Sequence, residues 1–234
     1  MNKLRKIYLQ IFVLLFVMIS VSEVTAEEAE LDYNELSVGN IFIFGKYEQD
    51  NNLENGPECI EWIVLDVEEG RALLISKYGL DALQFHNKET SWGNPVNWRM
   101  SSIRKWLNQE FYENAFSEGE KNSILPMNLD DSSDISEDLQ SEPQKDRIII
   151  LSVDEVRQYM NKEIRSCQAT PYAISKKIWT GYDGNCWWWL RTPGEEHNYI
   201  THVGTEGDLH IYGNRATAKD GTVRPALWLK LKDE

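Results

Sequence analysis

Runs of β-branched and aromatic residues open and close the globular part of this chain, and helical spacing fills its middle. Ile41-Phe42-Ile43-Phe44-Gly45-Lys46-Tyr47 predicts a strand, with a polar loop from Glu48 to Pro57 behind it. Glu61–Val67 and Arg71–Lys77 flank Glu68-Glu69-Gly70, which predicts a hairpin with Gly70 in the left-handed position. Further on, Ile103, Trp106, Leu107 and Phe111 recur at i, i+3, i+4 and i+8, the stripe of a helix capped by Ser102. Ser117-x-x-Glu120 and Ser152-x-x-Glu155 are capping-box patterns. The first predicts a short helix reaching Leu125; the second predicts one whose apolar face is Val156, Tyr159 and Met160. Between them, Arg147–Leu151 predicts a buried strand. The last third supplies Trp187–Arg191, a hairpin around Gly204-Thr205-Glu206-Gly207, and a closing strand Thr222–Leu231. Strands at both ends around a helical middle make an α+β arrangement.

Outside this pattern lie three segments of different character. Lys3, Arg5 and Lys6 precede an apolar run from Ile7 to Val21, and Val24-Thr25-Ala26 offers small residues before Glu27. That layout predicts a secretory signal peptide over 1–26 and an exported chain. Residues 27–38 read as an acidic tether, which leaves 39–234 as a single domain. Within that domain, 128–146 carries seven acids, four serines and Pro143, the composition of a mobile solvated loop. Signal removal takes away three basic residues and one acid, so a whole-chain charge of −14 becomes about −16. Such a balance disfavours nucleic acid, and no membrane contact is expected beyond the signal segment.

The chain has 3 cysteines, Cys59, Cys167 and Cys186. In an oxidising compartment Cys167 and Cys186 are one possible pair, and three unpaired thiols are the other reading. No metalloprotease helix, nucleophile elbow or phosphate-cradling loop occurs, so no cofactor is expected and no catalytic residue is named. The acidic loop lacks the ligand spacing of a calcium loop.

Seven motifs follow in order along the chain: Gly45-Lys46-Tyr47, Ile60-Glu61-Trp62-Ile63-Val64-Leu65, Ala72-Leu73-Leu74-Ile75-Ser76, Ile103-Arg104-Lys105-Trp106-Leu107-Asn108, Leu151-Ser152-x-Asp154-Glu155, Trp188-Trp189-Leu190-Arg191-x-Pro193-Gly194 and Val223-Arg224-Pro225-Ala226-Leu227. Together they resemble a bacterial domain family of unknown function, often secreted, over residues 39–231. The resemblance implies a C-type-lectin-like fold akin to the formylglycine-generating enzymes. It implies antiparallel sheets, paired terminal strands, two to three flanking helices and loops that present ligand contacts. The Glu-Pro-Asn and Trp-Asn-Asp signatures of calcium-dependent lectins are missing from this sequence. The close cysteine pair of the copper oxidase is also missing, because Cys167 and Cys186 stand 19 positions apart.

Candidate contacts concentrate near the tryptophan run. Trp179, Tyr182, Asp183 and Asn185 set aromatics beside short polar groups on an irregular segment, a composition suited to sugars or peptide backbones. Alternation along Trp187–Trp189 places Trp188 on the opposite face from its neighbours, where it serves either a ligand or the core. In the following hairpin, a three-residue connection puts His202, Asp208 and His210 on one face, and a four-residue connection scatters them. On one face they form a polar contact surface or, less economically, a transition-metal site. Arg191 and Arg224 read as architectural. The leading expectation is a secreted or cell-surface, non-catalytic domain that binds a carbohydrate or protein ligand. The alternatives are a metal-dependent enzyme of the formylglycine-generating branch and a purely structural surface domain. Oligomeric state is open at this level.

Overall fold

A computed structural model describes residues 36–129 and 145–231, all within one compact unit, Tyr33–Glu234. The expected signal peptide over 1–26, the expected tether up to residue 35 and residues 130–144 of the expected acidic loop lie outside the described residues. In chain order the strands are β1 (Ile41–Tyr47), β2 (Glu58–Glu68), β3 (Arg71–Ser76) and β4 (Asp81–Ala82). Helix α1 (Ser102–Trp106) then runs through a wider π turn, Leu107–Phe111, into α2 (Tyr112–Ala115). Next come α3 (Glu118–Ser123), α4 (Val153–Tyr159), α5 (Lys162–Arg165), β5 (Cys167–Gln168) and α6 (Pro171–Ser175). The closing unit holds β6 (Asn185–Cys186), β7 (Trp188–Pro193), β8 (Tyr199–Val203), β9 (Leu209–Arg215), β10 (Thr222–Val223) and β11 (Ala226–Lys230).

The architecture is mixed helix and sheet, with largely antiparallel sheets and a half-barrel. One sheet has the order β1-β2-β3-β11, and a second has the order β4-β10-β7-β8-β9. The expected direct pairing of the terminal strands is corrected here. Strands β1 and β11 share a sheet but occupy its opposite edges, because the consecutive strands β2 and β3 fill the two places between them. A bulge in β1 falls at Gly45, whose φ is +69°. A Cβ there would come within 2.6 Å of the Phe116 ring, and the Gly45 amide donates to Glu120 at 2.8 Å. Only glycine tolerates both the conformation and the approach.

Local signals place α1, α3 and α4 to within a residue or two, whereas α5 and α6 fall in a stretch that reads as irregular. Ser101, one position earlier than expected, caps α1, and Ile103, Leu107 and Phe111 are buried as the stripe requires. Both capping boxes form in full: Ser117 with Glu120, and Ser152 with Glu155. The β2–β3 turn tightens to Glu69–Gly70, with Gly70 at φ +75°.

Arg147–Leu151 departs from expectation. Its apolar residues are buried, yet it makes a single bridge, Ile149 to Ala226, in place of a ladder. The Asn108 side chain does the pairing instead, accepting from the amides of Arg147 and Ile148 and donating to the Ile148 carbonyl. A side-chain amide can stand in for a neighbouring strand when backbone groups would otherwise be buried unpaired.

The closing segment also splits. Arg224 and Pro225 interrupt it, so β10 completes the second sheet and β11 the first. Pro225 has no amide to give a ladder. Arg224 is fully buried at this crossing, donating to the carbonyls of Ser76 at 2.8 Å and Ile164 at 2.7 Å. Its guanidinium lies 5.1 Å from the centre of the Trp188 ring. Three segments distant in sequence are therefore fastened at one side chain. Arg191, the other architectural arginine, holds Glu155 through both guanidinium nitrogens and donates to the Ile150 carbonyl at 3.0 Å.

Candidate recognition surface

The segment before the tryptophan strand is a turn built by its own side chains. The Gly181 amide donates to the Asn185 carbonyl at 2.7 Å, and Thr180 bridges Cys186. Asp183 receives the Asn185 amide at 3.1 Å and the Asn185 side-chain nitrogen at 2.6 Å. With its polar groups engaged internally, the turn leaves Tyr182 fully exposed and Trp179 56% exposed. The bonds fix the backbone that carries both aromatics, and Tyr and Trp side chains have few torsions to lose on binding.

Against this turn sits the tip of the β8–β9 hairpin. A Cβ on Gly181 would lie 3.3 Å from Thr205, so the two loops touch. The connection is three residues, 205–207, closed by Gly204 donating to the Asp208 carbonyl at 2.9 Å. Gly207, at φ +78°, backs onto the Lys162 carbonyl, where a Cβ would approach to 2.5 Å. The register pairs His202 with His210 and Val203 with Leu209. The histidine rings stack, centroids 4.6 Å apart at 10°. Asp208 pairs with Lys162 at 3.0 Å. Beneath the stack, the Trp187 ring meets His202 edge-on at 5.0 Å. Burial, and then the neighbouring His210, pull His202 down to about 4, so it is neutral at physiological pH.

The expected contacts therefore divide. Trp179, Tyr182, Asp183 and Asn185 share one turn, and His202, Asp208 and His210 share one hairpin that abuts it. Trp188 does not belong with them, which corrects its assignment as a ligand contact. It is completely buried, it donates to the Arg165 carbonyl at 2.9 Å, and Arg224 covers its ring. Trp187 and Trp189 are buried too, their rings meeting edge-on at 4.7 Å. Lys162 and Thr205 are additions that the sequence does not announce. Both come from short polar segments with no periodicity to mark them.

Elsewhere, a cavity of about 670 Å³ opens beside α1, lined by Lys88, Arg99, Lys105 and Lys145 and by the Arg104–Asp146 ion pair. His86 Nδ1 lies 3.3 Å from Ser102 Oγ at its wall, and burial together with Lys88 lowers that histidine. Buried Asp81 is fully engaged by Tyr47, Lys176 and the Ala82 amide, a structural cluster. Among the described residues, donor placement for a metal occurs at Glu48, Asp50 and Glu58, whose ligand atoms lie within 4.8 Å of one another. An all-oxygen set of that kind suits a hard cation. Two of its carboxylates already receive loop hydrogen bonds, from Gln49 and Asp50 to Glu58 and from Asn52 and Asn55 to Asp50. No helix among the described residues is long and apolar enough to cross a membrane.

Residues 69–231 match the family described as a domain of unknown function (DUF6273), and the chain belongs to that family. No curated protein and no solved structure matches it.

Proposed function

We propose that this family member is a secreted or cell-surface, non-catalytic binding domain with a C-type-lectin-like arrangement, and that it recognises a carbohydrate or protein ligand at the Trp179–Asn185 turn. One observation carries the reading: two outward aromatics stand on a turn whose polar groups are already tied down. Such a surface offers stacking faces at low entropic cost. Around it Lys162, Asp208 and His210 supply charged and polar contacts, the usual complement to an aromatic platform. The ligand's chemistry follows from the platform: a pyranose ring with an apolar face, or a peptide with a proline or aromatic side chain. Export rests on the N-terminal layout, and lectin-like topology on the ordered motifs.

Binding of the full chain to glycan and peptide arrays tests this, with Trp179→Ala and Tyr182→Ala as comparators. Loss of an aromatic stack costs about 1–1.5 kcal/mol, a fall of roughly tenfold in affinity for each variant. Unchanged affinity in both variants, with binding still present, would remove the turn from the recognition surface. Silence on both arrays would favour the structural-domain reading.

A further inference from the structure

We propose that Cys167 and Cys186 are a disulfide-forming pair whose bond closes the base of the segment that carries Trp179, Tyr182, Asp183 and Asn185. Only the consequence for ligand contact rests on the recognition reading; the bond itself rests on the strand register. Cys167 on β5 stands directly opposite Cys186 on β6 in an antiparallel pair. Residues so placed have Cα atoms about 4.5–5.5 Å apart, inside the roughly 4.4–6.8 Å window of disulfides. The thiols are free in this structure, and Cys186 Sγ donates to the Cys167 backbone carbonyl at 3.3 Å. Both are buried, whereas Cys59 is exposed.

The surroundings favour the exchange chemistry. Burial raises the Cys167 thiol, yet the neighbouring Cys186 thiol and the positive charge of Arg224 outweigh it and hold the group below its ordinary value. Thiolate is the attacking form. Cys186, pushed up by the neighbouring Cys167 thiol and by burial, keeps its proton until the second step. The oxidant is an external disulfide, R–S–S–R. Cys167 thiolate attacks one of its sulfurs, forming a mixed disulfide and releasing one thiolate. Cys186 then loses its proton and attacks the Cys167 sulfur, forming the internal bond and releasing the second thiolate. Two electrons pass from the protein to the external disulfide, and the two protons end on the released thiols. Because both sulfurs are buried, exchange belongs to folding or to local opening of β5 and β6.

Once formed, the bond would tie the two ends of 168–185 together from below. Thr180 already bridges Cys186, so the turn bearing Tyr182 sits immediately above the crosslink.

The experiment is a thiol count in denaturant on the full chain, refolded with oxidised glutathione. The expected result is one reactive thiol against three after reduction, and a mass lower by about 2 Da. Tryptic cleavage after Lys176 and Lys177 should leave the flanking peptides joined until reductant is added. Reduction should lower Tm by roughly 5–10 °C, as expected for a loop of this size in a domain of this length. In Cys59→Ser the count should fall from two to zero, a result that does not require removal of either buried cysteine. Three thiols persisting after equilibration, or a stable glutathione adduct on Cys167 without the internal bond, would overturn the proposal. Array results bear on the recognition reading alone and leave the thiol count untouched.

Discussion

Acidification should weaken the fold through His202 before it reaches the carboxylates. His202 lies between the Trp187 edge and the stacked His210 ring, and its value is pulled from the ordinary 6.5 to about 4. The unfolded chain takes up this proton near 6.5, whereas the folded chain resists until about 4. Between those values the unfolded state binds more protons, so stability is present in full above 6.5 and declines as pH falls through the window. At roughly 1.4 kcal/mol per pH unit, the gap is worth about 3 kcal/mol. For a domain of this length, that is a fall in Tm of roughly 6–12 °C. His86 is also held down, by burial and Lys88, and its contribution has the same sign. The difference between wild type and His202→Gln isolates the hairpin histidine. Urea unfolding followed by tryptophan fluorescence at pH 7, 6, 5 and 4 measures it. Equal losses in the two proteins between pH 6.5 and 4 would refute the burial argument.

Two further outcomes test the frame of the domain. Arg224→Ala should cost about 3 kcal/mol or more in urea unfolding, since two hydrogen bonds from a charged donor vanish and the Ser76 and Ile164 carbonyls lose that partner. Arg224→Lys should recover only part, because an ammonium lacks the planar fork that spans both carbonyls. Ser152→Ala should cost about 1 kcal/mol through loss of its bond to the Glu155 amide. Burial alone would raise Glu155, but Arg191 and the Ser152 amide hold it below the usual carboxylate value of 4.5. Its contribution is present above 4.5 and declines as pH drops beneath that value, so Glu155→Gln should flatten the acid limb there and leave the His202 window unchanged.

How far the sequence could be read depends on the range of the forces involved. Ser117 with Glu120 and Ser152 with Glu155 act over three residues, and both boxes form as their spacing predicts. The β8–β9 register was open at the level of sequence, and the three-residue connection lies at 205–207, one position beyond the expected 204–206, with Val203 opposite Leu209. Arg147–Leu151 was misread because its pairing partner is the side chain of Asn108, some forty positions earlier. Trp188 was misplaced for a related reason. Alternation along a strand distinguishes two faces, but nothing local says that β10 and β8 flank β7 within the sheet, with Arg224 over the Trp188 ring. The turn at 179–185 was visible as composition, while its contact with Thr205 depends on the meeting of two loops far apart in the chain.

The passage from β10 to β11 takes two residues, Arg224 and Pro225, and in that distance the polypeptide leaves one sheet and enters the other. A link so short, with its side chain anchored to Ser76 and Ile164, should restrain one layer from pivoting or sliding against its companion. A molecule landing on the rim would therefore find a platform that stays still, and any adaptation would have to occur in the connections themselves.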